Sequence, residues 1–264
     1  MEYGCCTAID NYGLLVQTGY DRIILSAAEL ASMSAADFGR LRDTLSAGPV
    51  KCRALNSFCT PELKLCGDGY DDGAVAAYTV SLAERAASIG VRYIGIGAPK
   101  SRNIPPGFAR ADAALQLKRS LQEICRVCAG YDVGVLLEPV CDLECNFITT
   151  TDEAAVLVGE LGLANLNLVF DTYHAFMMGE DGNPLRRAMK YVKLVHTAQD
   201  VGGRRHYLRP ENMEEYRVYF DALLEAGYDG EVSVEAFFDE PEARAAETLE
   251  IMKTLCSKQW RPQS

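Results

Sequence analysis

Short apolar runs alternate with longer amphipathic stretches along most of this chain. The runs are rich in Val, Ile and Leu and predict buried β-strands. They lie at about residues 3–9, 22–26, 50–56, 92–97, 133–138, 166–170, 192–196 and 231–235. The stretches between them carry apolar residues at helical spacing, and several end in Gly, which is a helix-stop signal. The first connection, DNYGLLVQTGYD, is short for a helix.

This alternation of strands and helices predicts the fold class. Strands separated by helices form a parallel sheet, and eight such units match the usual size of a (β/α)8 barrel, about 250 residues. An open doubly wound sheet is the main alternative, but no Gly-x-Gly-x-x-Gly follows the first strand. Because no linker or low-complexity tract interrupts the pattern, we predict an α/β fold in which residues 1–264 form a single TIM-barrel domain.

The composition excludes several classes of partner. The chain has 26 Lys and Arg against 37 Asp and Glu, a net charge of −11 at pH 7, which disfavours nucleic acid and anionic membranes. It lacks the run of about 18 apolar residues that a membrane span needs. The first residues, MEYGCCTAID, lack the pattern of a secretory signal. We therefore expect a cytoplasmic protein with reduced cysteines.

Two cysteine pairs have a spacing that is typical of zinc sites. Cys125 and Cys128 precede the fifth predicted strand, and Cys141 and Cys145 follow it. That strand separates the pairs by roughly 20 Å, whereas Zn–S bonds are about 2.3 Å long. We therefore predict buried, inert thiols. The single tryptophan, Trp260, is predicted to pack in the C-terminal tail or at a subunit contact.

Charged or imidazole side chains stand at the ends of the last four predicted strands. They are Glu138 in GVLLEP, Asp171 in LNLVFDTYH, His196 in VKLVH and Glu235 in EVSVEAF. Parallel strands end on the same side of a barrel and lie about 5 Å apart, so these side chains should converge. One such carboxylate is usually a helix cap or a salt-bridge partner. Three held close together cannot all stay ionised without a cation, so the set predicts a divalent metal site in an enzyme.

Several segments, mostly after about residue 90, carry a family resemblance: YIGIGAPKSRNIPPGF, EPVCDLECNF, FDTYHAF, VHTAQDVGGRR and GYDGEVSVE. Together they resemble the xylose isomerase-like TIM barrels, the sugar (phosphate) isomerase/epimerase superfamily, and within it the ketose 3-epimerases and hydroxypyruvate isomerase-like members. The resemblance implies a metal-dependent isomerase or epimerase of carbohydrate metabolism that acts on a small sugar or keto-sugar.

The same resemblance implies roles for the residues at the strand ends. Glu138, Asp171, His196 and Glu235 would bind one divalent metal ion, and Glu138 and Glu235 would also transfer the proton. Mixed carboxylate and imidazole ligands favour Mn²⁺, with Mg²⁺, Co²⁺ or Zn²⁺ as alternatives. This pairing suits removal of a proton beside a carbonyl, because the Lewis acid stabilises the enediolate and a carboxylate takes the proton.

Further residues are implied to contact substrate oxygens. By position these are Glu144, His174 and an arginine after the metal-binding histidine, which we match to Arg204. Arg205 stays an alternative, because the loop RRHYLRPENMEEY departs from the Pro-Gly-x-Gly stretch that is frequent in the family. Arg102 in SRNIPP either contacts a substrate phosphate or hydroxyl or holds its own loop in place. No clear Lys/Arg phosphate pocket is visible, which favours a free sugar.

Several functions stay open at this point. Two opposed glutamates favour epimerisation, whereas a single base would isomerise an aldose and a ketose. Cleavage of a carbon–carbon glycoside bond in a 3-keto-glycoside is a close alternative, and it would involve a partner subunit. A non-catalytic sugar-binding barrel is another, and a homo-oligomer is compatible with each. A DNA-repair endonuclease on this barrel is disfavoured, because three His and a net charge of −11 do not suit its multi-metal site.

Overall fold

The barrel is the main feature of the computed structural model, which describes residues 1–237 and 241–257. Its parallel strands are β1 (Glu2–Cys6), β2 (Arg22–Ser26), β3 (Ala54–Asn56), β4 (Tyr93–Ile96), β5 (Gly134–Leu137), β6 (Leu166–Asp171), β7 (Val192–Thr197) and β10 (Glu231–Val234). Each strand pairs with the next in this order, and β10 pairs with β1 to close the barrel. The predicted (β/α)8 fold is confirmed.

Helices cover the outside of the barrel between the strands. They are α1 (Tyr12–Thr18), α2 (Ala27–Ser32), α3 (Ala35–Ala47), α4 (Asp72–Ser88), α5 (Pro99–Arg102), α6 (Arg110–Ala129), α7 (Thr151–Leu161), α8 (Thr172–Met177), α9 (Gly182–Ala188), α10 (Met213–Glu225) and α11 (Pro241–Leu255). Side-chain caps start several of them: Ser34, Asp71 and Thr150 each accept a backbone N–H of the first turn. The first connection is a helix of seven residues, ended by Gly19 in the left-handed conformation.

The barrel interior is filled rather than open. Its buried apolar cluster consists of Cys6, Ile24, Ala54, Leu136, Val169 and Leu194. Cys5, the neighbour of Cys6, packs instead in the larger core between the barrel and the helices, because successive strand residues face opposite sides of a sheet. The barrel is therefore a packed core, and side chains at the carboxyl ends of its strands rest on this apolar layer.

The structure differs from the sequence expectations in three short segments. The first strand ends at Cys6, before its predicted end near residue 9. The third strand is limited to Ala54–Asn56, and a small antiparallel hairpin, β8 (Gln199–Asp200) with β9 (Arg205–His206), follows β7. Strands of two residues carry no detectable alternation, so the sequence pattern does not predict the hairpin. In the described part of the chain, no helix is long and apolar enough to cross a membrane. Trp260 lies outside the described residues.

The ten cysteines are all free thiols. Cys125 and Cys128 are buried in α6, whereas Cys141 and Cys145 are buried in the loop after β5. Among the described residues, no metal-compatible group combines the two pairs. The pairs therefore lie in separate parts of the fold, as the length of the intervening strand predicts.

Candidate active site

Four buried side chains meet at the carboxyl ends of neighbouring strands. Glu138 follows β5, Asp171 ends β6, His196 lies near the end of β7 and Glu235 follows β10. One potential ligand atom from each residue lies within 4.8 Å of those of the other three. Their exposed fractions are 6%, 1%, 0% and 7%. The structure thus brings together the four residues that the sequence places at strand ends.

His196 lies between the two glutamates. Its Nδ1 is 3.1 Å from Glu138 Oε1 and 3.4 Å from Glu235 Oε2, and its Nε2 is 3.9 Å from the Cys6 thiol. Burial alone would lower the pKa of His196, but the attraction of Glu235, Cys6 and Glu138 outweighs it and raises that pKa well above its usual value. The imidazole is therefore held in place by charge as well as by packing.

Arg205, from the hairpin strand β9, is the cation that faces these carboxylates. Its Nη2 donates to Asp171 Oδ2 and, at 2.5 Å, to Glu235 Oε2, while its Nε donates to the Glu235 carbonyl at 3.1 Å. The guanidinium also lies 4.8 Å from the centre of the Tyr173 ring. Burial would raise the pKa of Asp171 and of Glu235, but the attraction of Arg205 prevails and lowers both. For Glu138, burial prevails and raises the pKa.

A cavity of about 230 Å³ opens beside the cluster. It is lined in part by Glu138, Glu144, His174, Arg205 and Glu235. His174 Nε2 lies 2.9 Å from Arg205 Nη1, and its Nδ1 lies 3.3 Å from the backbone nitrogen of Cys141. Burial lowers the pKa of His174 to about 4, so this imidazole is neutral near pH 7. Both candidate proton-transfer glutamates therefore border the same space as the candidate substrate ligands.

The arginine expected in the site is Arg205, which corrects the match to Arg204. Arg204 is exposed in the turn between β8 and β9, whereas Arg205 is 5% exposed and lines the cavity. Adjacent residues of an extended segment point to opposite sides, so only one of the two can enter the site. The choice depends on the register of a hairpin that the sequence pattern does not reveal.

Two residues that touch the cluster are missed by the sequence reasoning. Asn56, the last residue of β3, donates from Nδ2 to Glu235 Oε1 at 2.5 Å. Cys6, the last residue of β1, faces His196. Both occupy strand ends, as the four predicted residues do. Extending the strand-end rule to neutral polar side chains would find them.

The donor set fits a divalent metal ion. Three carboxylates and one imidazole are the ligands that Mn²⁺, Mg²⁺, Co²⁺ or Zn²⁺ accept. A second group, Cys141, Glu144 and His174, also has ligand atoms within 4.8 Å of one another. That group includes the exposed Glu144, whereas all four residues of the Glu138, Asp171, His196 and Glu235 set are buried and offer only carboxylate and imidazole ligands. The four-residue set is therefore the better candidate metal site.

Together, the closed barrel and the polar cluster at its mouth define a (β/α)8 barrel with an enzyme-type active site. Residues 14–255 match the family model described as xylose isomerase-like TIM barrel. The chain therefore belongs to the xylose isomerase-like TIM barrel family, and the resemblance seen in its motifs is confirmed.

The chain is similar to an isomerase, an epimerase and a zinc-binding protein. An inosose isomerase from Bacillus velezensis is 26% identical over 253 residues, covering 89% of this chain and 85% of that protein. The structure of a D-allulose 3-epimerase from Methylomonas sp. with D-allulose has a TM-score of 0.81 at 18% identity, with 96% of each chain covered. An IOLI protein with a bound zinc atom has a TM-score of 0.69 at 19% identity, covering 99% of this chain and 100% of that one. At these identities the two structures establish the fold alone.

Proposed function

We propose that this chain is a divalent-metal-dependent sugar isomerase or epimerase that moves a proton on the carbon beside a carbonyl. The observation that carries the proposal is the convergence of Glu138, Asp171, His196 and Glu235, with ligand atoms within 4.8 Å, beside a cavity that both glutamates line. The names of the inosose isomerase and the D-allulose 3-epimerase support this reaction class. These two names also favour a small keto-sugar or a cyclic polyol ketone as the substrate.

In this proposal the four clustered residues hold one ion. Asp171 and His196 serve only as ligands, whereas Glu138 and Glu235 also face the substrate. A bound divalent ion supplies Lewis-acid stabilisation of the negative charge that develops on the substrate oxygens. Mn²⁺ is our first choice for the ion, and the zinc atom in the IOLI protein keeps Zn²⁺ among the alternatives.

Proton transfer is assigned to the pair of glutamates. Glu138 and Glu235 directly follow β5 and β10, and β6 and β7 lie between these strands in the barrel, so their carboxylates reach the cavity from different sides. One carboxylate removes the proton from the substrate carbon and the other returns a proton to the opposite face. This two-base arrangement favours epimerisation over isomerisation. We assign Glu144, neutral His174 and Arg205 to the substrate oxygens.

Hydrogen exchange with solvent tests the proposal whichever sugar the protein converts. Purified protein is loaded with Mn²⁺ in heavy water and incubated with a panel of free ketoses, aldoses, inososes, 3-keto-glycosides and hydroxypyruvate. Deuterium at a carbon beside the carbonyl is expected for at least one member, and it should vanish after chelation while most of the barrel stays folded. An epimerase places deuterium at the inverted carbon in nearly every product molecule, whereas direct hydrogen transfer to the neighbouring carbon indicates isomerisation.

Three results would contradict the proposal. Sugar binding without any exchange, in metal-loaded protein, would indicate a non-catalytic sugar-binding barrel. Exchange that occurs only with 3-keto-glycosides and is followed by loss of the aglycone would indicate the glycoside-cleaving alternative. Unfolding on chelation would instead show that the ion is structural.

A further inference from the structure

Arg102 is a fully buried arginine whose hydrogen bonds all go to backbone carbonyls. It ends α5, and its exposed fraction is 0%. Its Nε donates to Gly97 at 2.6 Å, its Nη2 donates to Glu138 at 2.9 Å, and its Nη1 donates to Phe147 at 2.5 Å and to Ile148 at 3.1 Å. Burial of a guanidinium costs several kcal/mol unless its donors are satisfied. Because all its bonds are to backbone carbonyls, the buried Arg102 guanidinium indicates a structural role at this position.

The four carbonyls belong to three segments that surround the candidate active site. Gly97 follows β4, Glu138 follows β5, and Phe147 and Ile148 end the loop between β5 and α7. That loop carries Glu144, whose carbonyl also accepts from Asn103, the residue after Arg102, at 3.3 Å. Arg102 thus joins the backbone of one candidate metal ligand to both ends of the loop that presents a candidate substrate ligand.

Backbone strain in these segments shows that they need external support. Ile148 has φ of 56° and Ala98 has φ of 39°, in the left-handed region that residues with a Cβ rarely adopt. For a β-branched residue such as Ile148 the cost is about 1–3 kcal/mol. Such a conformation persists only where the surroundings fix it. The carbonyl of Ile148 is held by Arg102 and by the backbone nitrogen of Val140, the latter at 3.3 Å.

The Glu138 carboxylate packs closely against the backbone of Gly97. A Cβ placed on Gly97 would lie 2.8 Å from Glu138 Oε2, so the carboxylate passes directly against the Gly97 backbone. Arg102 binds the carbonyls of both residues and therefore fixes their separation. A shift of either segment by a few tenths of an ångström would move the carboxylate relative to His196, which it contacts at 3.1 Å.

We propose that Arg102 is a positioning residue that fixes the Glu138 carboxylate and the Glu144 loop in their working geometry. The metal-related part of this inference rests on the proposed function. It also decides between the two interpretations of the motif SRNIPP: Arg102 holds backbone and does not contact the sugar. Removing its donors should loosen the segment 138–148 and change the environment of the ion without removing any ligand.

Arg85 provides a matched control for the test. Its Nη1 also donates to three carbonyls, those of Leu30, Ala31 and Met33, at 2.6, 3.4 and 2.9 Å. These carbonyls lie at the end of α2, outside the residues that line the cavity. Arg102→Met and Arg85→Met therefore each remove a carbonyl-binding arginine. They differ in whether the carbonyls belong to the active site, and also in burial, because Arg85 is half-buried.

Three readouts distinguish positioning from general stabilisation. In Arg102→Met, Mn²⁺ affinity should fall by about 10-fold or more, as it does when outer-shell partners of ligands are lost. The visible absorption spectrum of the Co²⁺-loaded protein should change, and amide hydrogen exchange of residues 138–148 should accelerate. In Arg85→Met, Mn²⁺ affinity should stay within about twofold of the parent value, the Co²⁺ spectrum should be unchanged, and thermal stability alone should fall.

Arg102→Lys covers the case in which Arg102→Met fails to fold. Lysine keeps the charge but reaches fewer carbonyls, so Mn²⁺ affinity should lie between the parent and Arg102→Met values. Parent-like affinity, Co²⁺ spectrum and loop exchange in whichever Arg102 variant folds would overturn the inference. The hydrogen-exchange measurement needs no metal, so it tests the positioning role even if the parent protein does not bind Mn²⁺ and the proposed function itself fails.

Discussion

Opposite conditions act on two glutamates at the two ends of the barrel: Glu231 begins β10, and Glu235 directly follows it. Both lie on the inward face of the β10 segment, because residues four apart in a strand share a face. Their exposed fractions are similar, 9% for Glu231 and 7% for Glu235. Burial by itself therefore predicts the same chemistry for both. The groups around them differ.

The partners of each carboxylate determine its charge. At the mouth, Glu235 contacts Arg205, His196 and Asn56, and the attraction of Arg205 and His196 overcomes the effect of burial and lowers its pKa. At the opposite end, Glu231 accepts a hydrogen bond from Ser233 at 2.7 Å, and burial raises its pKa to about 7. The cation that decides the difference comes from a loop at the carboxyl end of the strands, where barrels place their active sites.

Glutamine substitutions at the two positions test this comparison most directly. Glu235→Gln should reduce kcat/KM at least about 1,000-fold, because the residue both holds the ion and moves a proton. Glu231→Gln should leave kcat/KM within about threefold of the parent value, because Glu231 does not line the cavity. Steady-state kinetics with the substrate found by deuterium exchange provides the measurement.

Mn²⁺ binding tests the role of Glu235 as a metal ligand apart from its role in proton transfer. Since a ligand oxygen is lost, Glu235→Gln should also bind Mn²⁺ more weakly by calorimetry, whereas Glu231→Gln should bind as the parent does. If Glu235→Gln kept near-parent activity, the scheme with two glutamate bases would be wrong. If Glu231→Gln lost activity to the same extent, the two ends of the barrel would not be chemically separate.

Removal of the arginine that distinguishes the two ends should have the next largest effect. Arg205→Met leaves Asp171 and Glu235 buried without their guanidinium partner. Breaking a buried ion pair in this way costs about 3–5 kcal/mol. Urea unfolding in the presence of a chelator should show a loss of this size. Excess Mn²⁺ should recover part of it, because an ion bound by the same carboxylates stabilises the folded state.

Arg204→Met is the neighbouring control for this experiment. Its side chain is exposed in the hairpin turn and does not line the cavity, so the loss in its free energy of unfolding should be clearly smaller than that of Arg205→Met. Equal losses in the two variants would show that the hairpin as a whole, and not the Arg205 contacts, is responsible.

The sequence predicts the four polar residues at the mouth of the barrel better than it predicts the residues that contact and position them. The eight strands are visible because buried parallel strands are continuous apolar runs, and Glu138, Asp171, His196 and Glu235 are visible because each directly follows or ends such a run. The four side chains therefore follow from strand positions alone. Their convergence needs only the closure of the barrel.

Residues that reach the site from loops are harder to predict. Arg205 depends on the register of a hairpin whose strands have two residues each, and Arg102 acts through carbonyls, which every residue has. Asn56 lacks a charge and does not stand out in the sequence, although it ends a predicted strand. In each of these cases the partner is determined by tertiary packing, and local sequence patterns do not encode it.

The smallest predicted effect concerns the pH dependence of stability caused by Glu231. Its folded pKa of about 7 lies above its ordinary value of 4.5, so the folded state binds more protons than the unfolded state between these values. Stability should therefore fall as pH rises through this window, by about 3 kcal/mol at most. Burial causes the shift, the hydrogen bond from Ser233 and the charges of Arg22 and His196 oppose it, and Glu2 adds to it.

Since glutamine stays neutral, Glu231→Gln should match the parent near pH 4 and exceed its free energy of unfolding by about 1–3 kcal/mol at pH 8. Urea unfolding at both pH values measures the difference, and an equal difference at the two pH values would show that the carboxyl does not titrate with folding.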